Sequence, residues 1–382
     1  MNNRYLNIFL IYGAIFLALI GPMSIILPLG PLKDLRFLSP LLAAPFIFIS
    51  FKSYKYEANK YFKQLFFLFL FVAVYTIFVS FIFHEIGFTY RNIVNLILLF
   101  TPLVFSWGII NYSTPKQIDR IIKTLFYAFS LFYVVELFRG GISFGALLQV
   151  FQSNIVTESY YDTESGVSLI MGFYFLYFLH NKKYRYAAAA ALITILGAKR
   201  IAIFGVFICT MFYVFFPLKT IKSKSFYGWV FLIVGTLIAI TWDGIISGTF
   251  NQFVQNLTGI SADRFFMGRL NRFQVVFANA TEFPIWGAGL GLGYIENILY
   301  YEVKWATAFH GDFYRLYLEL GPILFGIWLY ITGKFASLNK LALTITLLVI
   351  ILLQTDNAFI YNRIMFSYYL MMGYALIQNK SN

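Results

Sequence analysis

The chain reads as an all-α, polytopic integral membrane protein with about 12 transmembrane helices and a large outer loop. Three observations predict this. First, its 382 residues are 60% hydrophobic and only 12% charged, with a mean hydropathy of +0.74, whereas a soluble domain carries about 25% charged residues. Second, continuous apolar runs long enough to cross roughly 30 Å of hydrocarbon recur along it. Transmembrane barrels instead alternate polarity over strands of about ten residues, a pattern these runs do not follow. Third, aromatic residues make up 21% of the chain, including 46 Phe and 28 Tyr, as suits lipid-facing surfaces and interfacial belts.

Taken in order, the expected spans are 6–29, 37–51, 64–83, 92–110, 121–138, 166–180, 185–198, 201–217, 227–247, 313–333, 341–355 and 359–377. The first follows a single Arg4, is too long for a signal-peptide core and ends without a small-residue cleavage site, so it is expected to persist as a span. The run 37–51 is short, and "GAKR" interrupts 184–217 only briefly, which leaves the count open at those two places. Two long loops remain, 139–165 and 248–312, within a single membrane domain covering 1–382. No period of 20–50 residues repeats. Cys209, the one cysteine, lies in an apolar run, which excludes a disulfide framework or a thiolate metal cluster.

A net charge of +13 would point to nucleic acid in a soluble protein. Here its distribution accounts for it. With both termini cytoplasmic, the inner loops hold the basic residues at 4, 52–63, 116–123, 182–185, 219–224, 334–340 and 380, with Glu57 and Asp119 as their only acids. Short cytoplasmic loops rich in Lys and Arg are what membrane insertion favours. The expected partner is therefore the phospholipid bilayer, with no nucleic acid. Both long loops fall outside, and Lys199, Arg200, Arg264, Arg269, Arg272 and Arg315 stay there as cations that this rule does not explain.

Four stretches carry the candidate chemistry. In "LITILGAKRIAIFGV" (192–206), Lys199 and Arg200 either snorkel to headgroups from a tight turn or grip an anion, since a guanidinium matches phosphate oxygens bidentately. In "SADRFFMGRLNRFQVVFANATEFPIWGAGLGLGY" (261–294), Arg269 and Arg272 share a face of a short amphipathic helix with Phe266, Leu270, Phe273 and Val276 on its apolar side. That helix either rests on anionic lipid or, with Arg264 nearby, donates to a phosphorylated substrate. Its glycine run lacks the strand–helix context of a nucleotide loop and is expected to need positive φ or close backbone approach.

In "AFHGDFYRLYLELG" (308–321), a helix starting near Gly311 puts Asp312 in its first turn, where a carboxylate is favoured. Asp312, Arg315 and Glu319 then line one face. Arg315 and Glu319 form either an internal pair or part of a site with His310, the natural acid–base group near neutral pH. In "LLQTDNAFIYNRIMF" (352–366), Asp356 and Arg363 lie two helical turns apart and either pair or cap a turn, with capping the preferred reading. No HExxH, paired-carboxylate or GxSxG pattern occurs, so neither a metal nor a serine nucleophile is expected.

The basic residue opening a mid-chain span, the outer-loop pattern "GR…NRF…A…FPIWGAGLGLGY" and then "HGDFYRLYLELGPILFG" resemble the C-terminal half of bacterial Wzy-type O-antigen and capsule polymerases and the related O-antigen ligases. The resemblance covers about 195–335 by motif and the whole chain by topology. It implies an inner-membrane enzyme that transfers an undecaprenyl-diphosphate-linked glycan, serving as donor and acceptor, to a sugar hydroxyl without metal or cofactor. It matches His310 to a general base, Arg200 to a diphosphate-binding residue, and Arg269 or Arg272 to the family's outer-loop arginine. Lys199, Arg264, Asp312, Arg315, Glu319, Asp356 and Arg363 stay as substrate contacts or structural groups. A chain-length regulator and a flippase are the protein partners such an enzyme implies. "HGD" stands where relatives often have "HN", which is closer to the polymerases and leaves the role of Asp312 open. A ligase acting on lipid A–core and a lipid-linked oligosaccharide transporter are the alternatives.

Overall fold

The computed structural model describes residues 56–82, 87–139, 166–197, 199–216, 224–249, 251–259, 270–281, 289–300, 311–359 and 361–378, together with residues 13, 261 and 309. Among them there is no β-strand. The helices are α1 (Tyr56–Ile82), α2 (Tyr90–Tyr112), α3 (Pro115–Arg139), α4 (Gly166–His180), α5 (Tyr184–Leu196), α6 (Arg200–Phe215), α7 (Lys224–Ile246), α8 (Asn251–Thr258), α9 (Leu270–Thr281), α10 (Tyr294–Ile298), α11 (Asp312–Ala336), α12 (Lys340–Leu353) and α13 (Asn362–Gln378). Helices occupy each apolar run expected from 64–83 onward. The expected span 6–29 apart from residue 13, the span 37–51, and nearly all of the loop 139–165 lie outside the described residues.

Five helices, α1, α2, α3, α7 and α11, are long and apolar enough to cross a membrane. The apolar helices α4, α5, α6 and α12 are shorter. On α1, Phe67, Phe71, Val74, Phe78 and Phe81 point away from the protein, as do Ile233, Leu237 and Ile240 on α7. In water such stripes would be large apolar patches of a kind monomeric soluble proteins rarely expose. Hydrocarbon is the environment that suits them, and the chain is a membrane-embedded helical protein.

Glycines set how closely the helices approach. A Cβ at Gly333 on α11 would lie 2.6 Å from the Phe231 side chain and 2.8 Å from the Tyr227 carbonyl of α7, and α7 and α11 form the most extensive helix pair. Gly172 of α4 and Gly205 of α6 receive Leu348 of α12 in the same way. Small residues at crossing points are how helices pack where lipid removes most of the hydrophobic driving force.

The feature that shapes the polar end is a break in α11. Gly321 has φ 72° and ψ 166°, and Pro322 follows it. Proline has no N–H to offer the carbonyl four residues earlier, so Leu318 and Glu319 need other donors. They find them in the glycine-rich segment: Gly289 and Leu290 donate to the Leu318 carbonyl, and Gly291 donates to that of Glu319 at 2.9 Å. Gly289, Gly291 and Gly293 have φ of 93°, 83° and 87°, and a Cβ at Gly293 would sit 3.1 Å from the Arg91 carbonyl. The expectation of positive φ and close backbone approach thus holds at these glycines.

Residues 289–293 are buried, wedged among α1, α2 and α11. Thr76 Oγ1 accepts from Leu292 N at 3.0 Å, and Asn92 Nδ2 donates to the Leu292 carbonyl at 2.8 Å. The expected long loop 248–312 therefore holds helices α8, α9 and α10 and a buried glycine-rich segment whose backbone groups are satisfied inside the protein. Buried non-helical backbone requires such internal satisfaction.

Candidate functional site

Alternation along the bundle brings the C-terminal ends of α1, α3, α7 and α12 to the same end as the N-terminal ends of α2, α4, α6, α11 and α13. The contacts given below link these ends, and most of the sequence-predicted polar residues collect there.

The helix α11 begins at Asp312, with Gly311 as its N-cap. Asp312 is fully buried. Its Oδ2 accepts from Phe359 N at 2.6 Å, and its own N–H donates to the Asp356 carbonyl at 3.3 Å. One carboxylate in a helical first turn thereby ties α11 to the α12–α13 connection. One turn on, Arg315 is 1% exposed and faces three carboxylates. Its Nε lies 3.3 Å from Asp312 Oδ1 and 3.6 Å from Glu319 Oε2, and its Nη1 lies 3.2 Å from Glu296 Oε1. Glu319 Oε1 also accepts from Gly293 N at 2.8 Å and Ile295 N at 3.4 Å, at the start of α10. Glu296 Oε2 in turn accepts from Asn95 Nδ2 at 3.0 Å. The single guanidinium thus braces α11 against the glycine-rich segment.

A second cluster lies across the α12–α13 connection. Lys199 Nζ pairs with Asp356 Oδ2 at 2.9 Å, and Asp356 Oδ1 accepts from Asn357 N at 2.8 Å. The sequence spacing suggested an Asp356–Arg363 pair or a capped turn. Asp356 instead has Lys199 as its charge partner, because the chain reverses between α12 and α13 and turns the carboxylate towards the start of α6. Arg200, the first residue of α6, is exposed. Arg363 is half-buried, its guanidinium 5.8 Å from the Tyr361 ring centroid and against Gly166 at the start of α4.

The third part is an aromatic wall. Phe273 of α9 packs edge-on against Phe309, with ring centroids 4.6 Å apart, and lies 3.3 Å from where a Gly311 Cβ would be. Trp242 Nε1 donates to Gln354 Oε1 at 2.9 Å, and Tyr314 donates to Asp243. Leu270, Phe273 and Val276 are buried. The apolar face of α9 therefore packs on protein, where an interfacial helix would have rested it on lipid. Residues 309 and 311 flank His310, so α9, which carries Arg272 in its first turn, is packed directly against the neighbours of the proposed base. His310, Arg264 and Arg269 lie outside the described residues, as does the side chain of Arg272.

Several groups of this end were not singled out in the sequence. Glu296 and Asn297 sat in what read as loop, and Asn92 and Asn95 were isolated polar residues in an apolar run. Their spacing, three apart on one helical face, was the available signal. Among the described residues no group of three or more His, Cys, Asp or Glu side chains could hold a metal ion. Comparison of the chain with protein-family models, with curated proteins and with solved structures gives no match.

Proposed function

We propose that the chain polymerises undecaprenyl-diphosphate-linked oligosaccharide repeat units into O-antigen or capsular or exopolysaccharide, as a glycosyltransferase that needs no metal. The observation that carries this reading is the collection of Lys199, Arg200, Arg363 and the flanks of His310 at one end of an apolar helical bundle. A lipid-linked anion presents its reacting bond at that kind of boundary.

In this reading His310 takes the proton of an acceptor sugar hydroxyl. The hydroxyl oxygen attacks the anomeric carbon of the donor, and the bond from that carbon to the diphosphate oxygen breaks. The electron pair leaves with the diphosphate, whose charge is held by Arg200, Arg269 and Arg272, stabilisation that grows as the bond opens. Arg315 acts from behind, holding the glycine-rich segment, because its own charge is already engaged.

The other end of the bundle bears Lys116, Arg120, Lys123, Lys182, Lys183, Arg185 and Lys340, with Asp119 paired to Lys123 and Lys183. The positive-inside rule makes that end cytoplasmic and turns the polar cluster to the outer face of a bacterial inner membrane. About twelve crossings and cytoplasmic termini belong to the same proposal.

Deleting the gene in its host tests the reading through the gel pattern of surface glycan. Collapse of the ladder to a single repeat unit is the expected result. Long undecaprenol-linked chains absent from lipid A–core would instead indicate a ligase. An unchanged ladder would overturn both.

A further inference from the structure

Arg315 and Arg363 stand at the same end of the bundle in opposite electrostatic settings. Arg315 has three carboxylates within 4.0 Å, whereas among the described residues no carboxylate comes that close to Arg363. Glu136 and Asp356 act on it only at longer range. A half-buried guanidinium without a paired carboxylate is costly inside a membrane protein and is free to pair with an incoming anion.

Its surroundings fit an anion. Tyr361 beside it is a neutral donor, and Lys199 and exposed Arg200 begin α6 nearby. The start of α4 adjoins both clusters. Arg363 packs on Gly166, and Gly197, just before Lys199, packs on Ser168. Gly166 has no side chain where one would collide: a Cβ there would lie 2.5 Å from Arg363 Nη2. The glycine thus gives the guanidinium its seat.

We infer that Arg363, seated on Gly166 beside Tyr361, Lys199 and Arg200, is a diphosphate-binding residue of this protein. The inference rests on the proposed lipid-diphosphate chemistry for its ligand and adds a residue on α13 to the anion site. Arg315 is thereby excluded from that role.

The test is binding of inorganic diphosphate to the purified full chain in phosphatidylcholine nanodiscs, followed by calorimetry, with thermal unfolding as a check on folding. Replacing Arg363 by Gln (R363Q) should weaken binding by about 10- to 100-fold, the loss of one or two charge-assisted hydrogen bonds. R363K should recover only part, because an ammonium cannot bind bidentately. G166A keeps the arginine and its charge but displaces the guanidinium, and should weaken binding severalfold with little change in melting temperature.

Wild-type protein that does not bind diphosphate would overturn the assignment, as would unchanged affinity in R363Q and G166A. So would loss of binding when phosphatidylglycerol replaces phosphatidylcholine, since the site would then belong to a phospholipid headgroup. Binding through Arg363 combined with an unchanged glycan ladder in the deletion strain would instead retire the polymerase reading and keep the site.

Discussion

Arg315, one buried cation among Asp312, Glu296 and Glu319, sets what each substitution at the polar end should do. Arg315→Met leaves the carboxylates uncompensated and should destabilise the protein by about 3–5 kcal/mol, the usual cost of removing one partner from a buried ion pair. Thermal or denaturant unfolding in detergent measures it. Glu319→Gln keeps an oxygen for the Gly293 and Ile295 N–H groups, so it should be tolerated. Glu319→Ala orphans those donors and should cost about 1–3 kcal/mol; Ala behaving no worse than Gln would contradict the bracing role. The helical face shared by Asp312, Arg315 and Glu319 was legible in the sequence because their spacing of three and four is local. The partners were not. Glu296 lies 19 residues from Arg315, and Asp356 reaches Lys199 across 157 positions, pairings that only the packing of helix ends creates.

At the scale of elements, the break at Gly321–Pro322 and the glycine run at 289–293 are two halves of one structure. Pro322→Ala would restore an N–H able to claim the Leu318 carbonyl and draw α11 into a continuous helix. Amides at 289 and 290, the donors to that carbonyl, should then exchange faster with deuterium; unchanged protection would show that the break does not hold the segment. Gly293→Ala places a Cβ at positive φ against the Arg91 backbone and should cost more than about 1 kcal/mol, read as a fall in melting temperature. The helices from 64–83 onward were legible because apolar runs bounded by Lys, Gly and Pro mark their own ends. The glycine run announced an unusual backbone but not its partner, since the carbonyls it satisfies are freed by a proline some thirty residues later.

At the scale of the whole molecule, the described residues have a basic end and an end where acids and cations pair. Cysteine labelling tests the orientation drawn from this, with little background because Cys209, the native cysteine, is buried. In intact cells a membrane-impermeant maleimide should label Ser247→Cys at the end of α7, whereas Lys182→Cys should be labelled only after permeabilisation; the reverse pattern would invert the topology. The charge bias behind this was legible in the sequence, since it needs only loop assignments. The gathering of Lys199, Asp356, Tyr361 and Arg363 was not, because it needs the order in which helices pack. The most direct measurement gives the purified chain, in vesicles without an ion gradient, a fluorescent repeat unit linked through diphosphate to undecaprenol, and follows its products by gel. A ladder of longer chains with released undecaprenyl diphosphate is the predicted result, abolished by His310→Ala. Repeat units that stay single, or that only change sides of the membrane, would contradict the account.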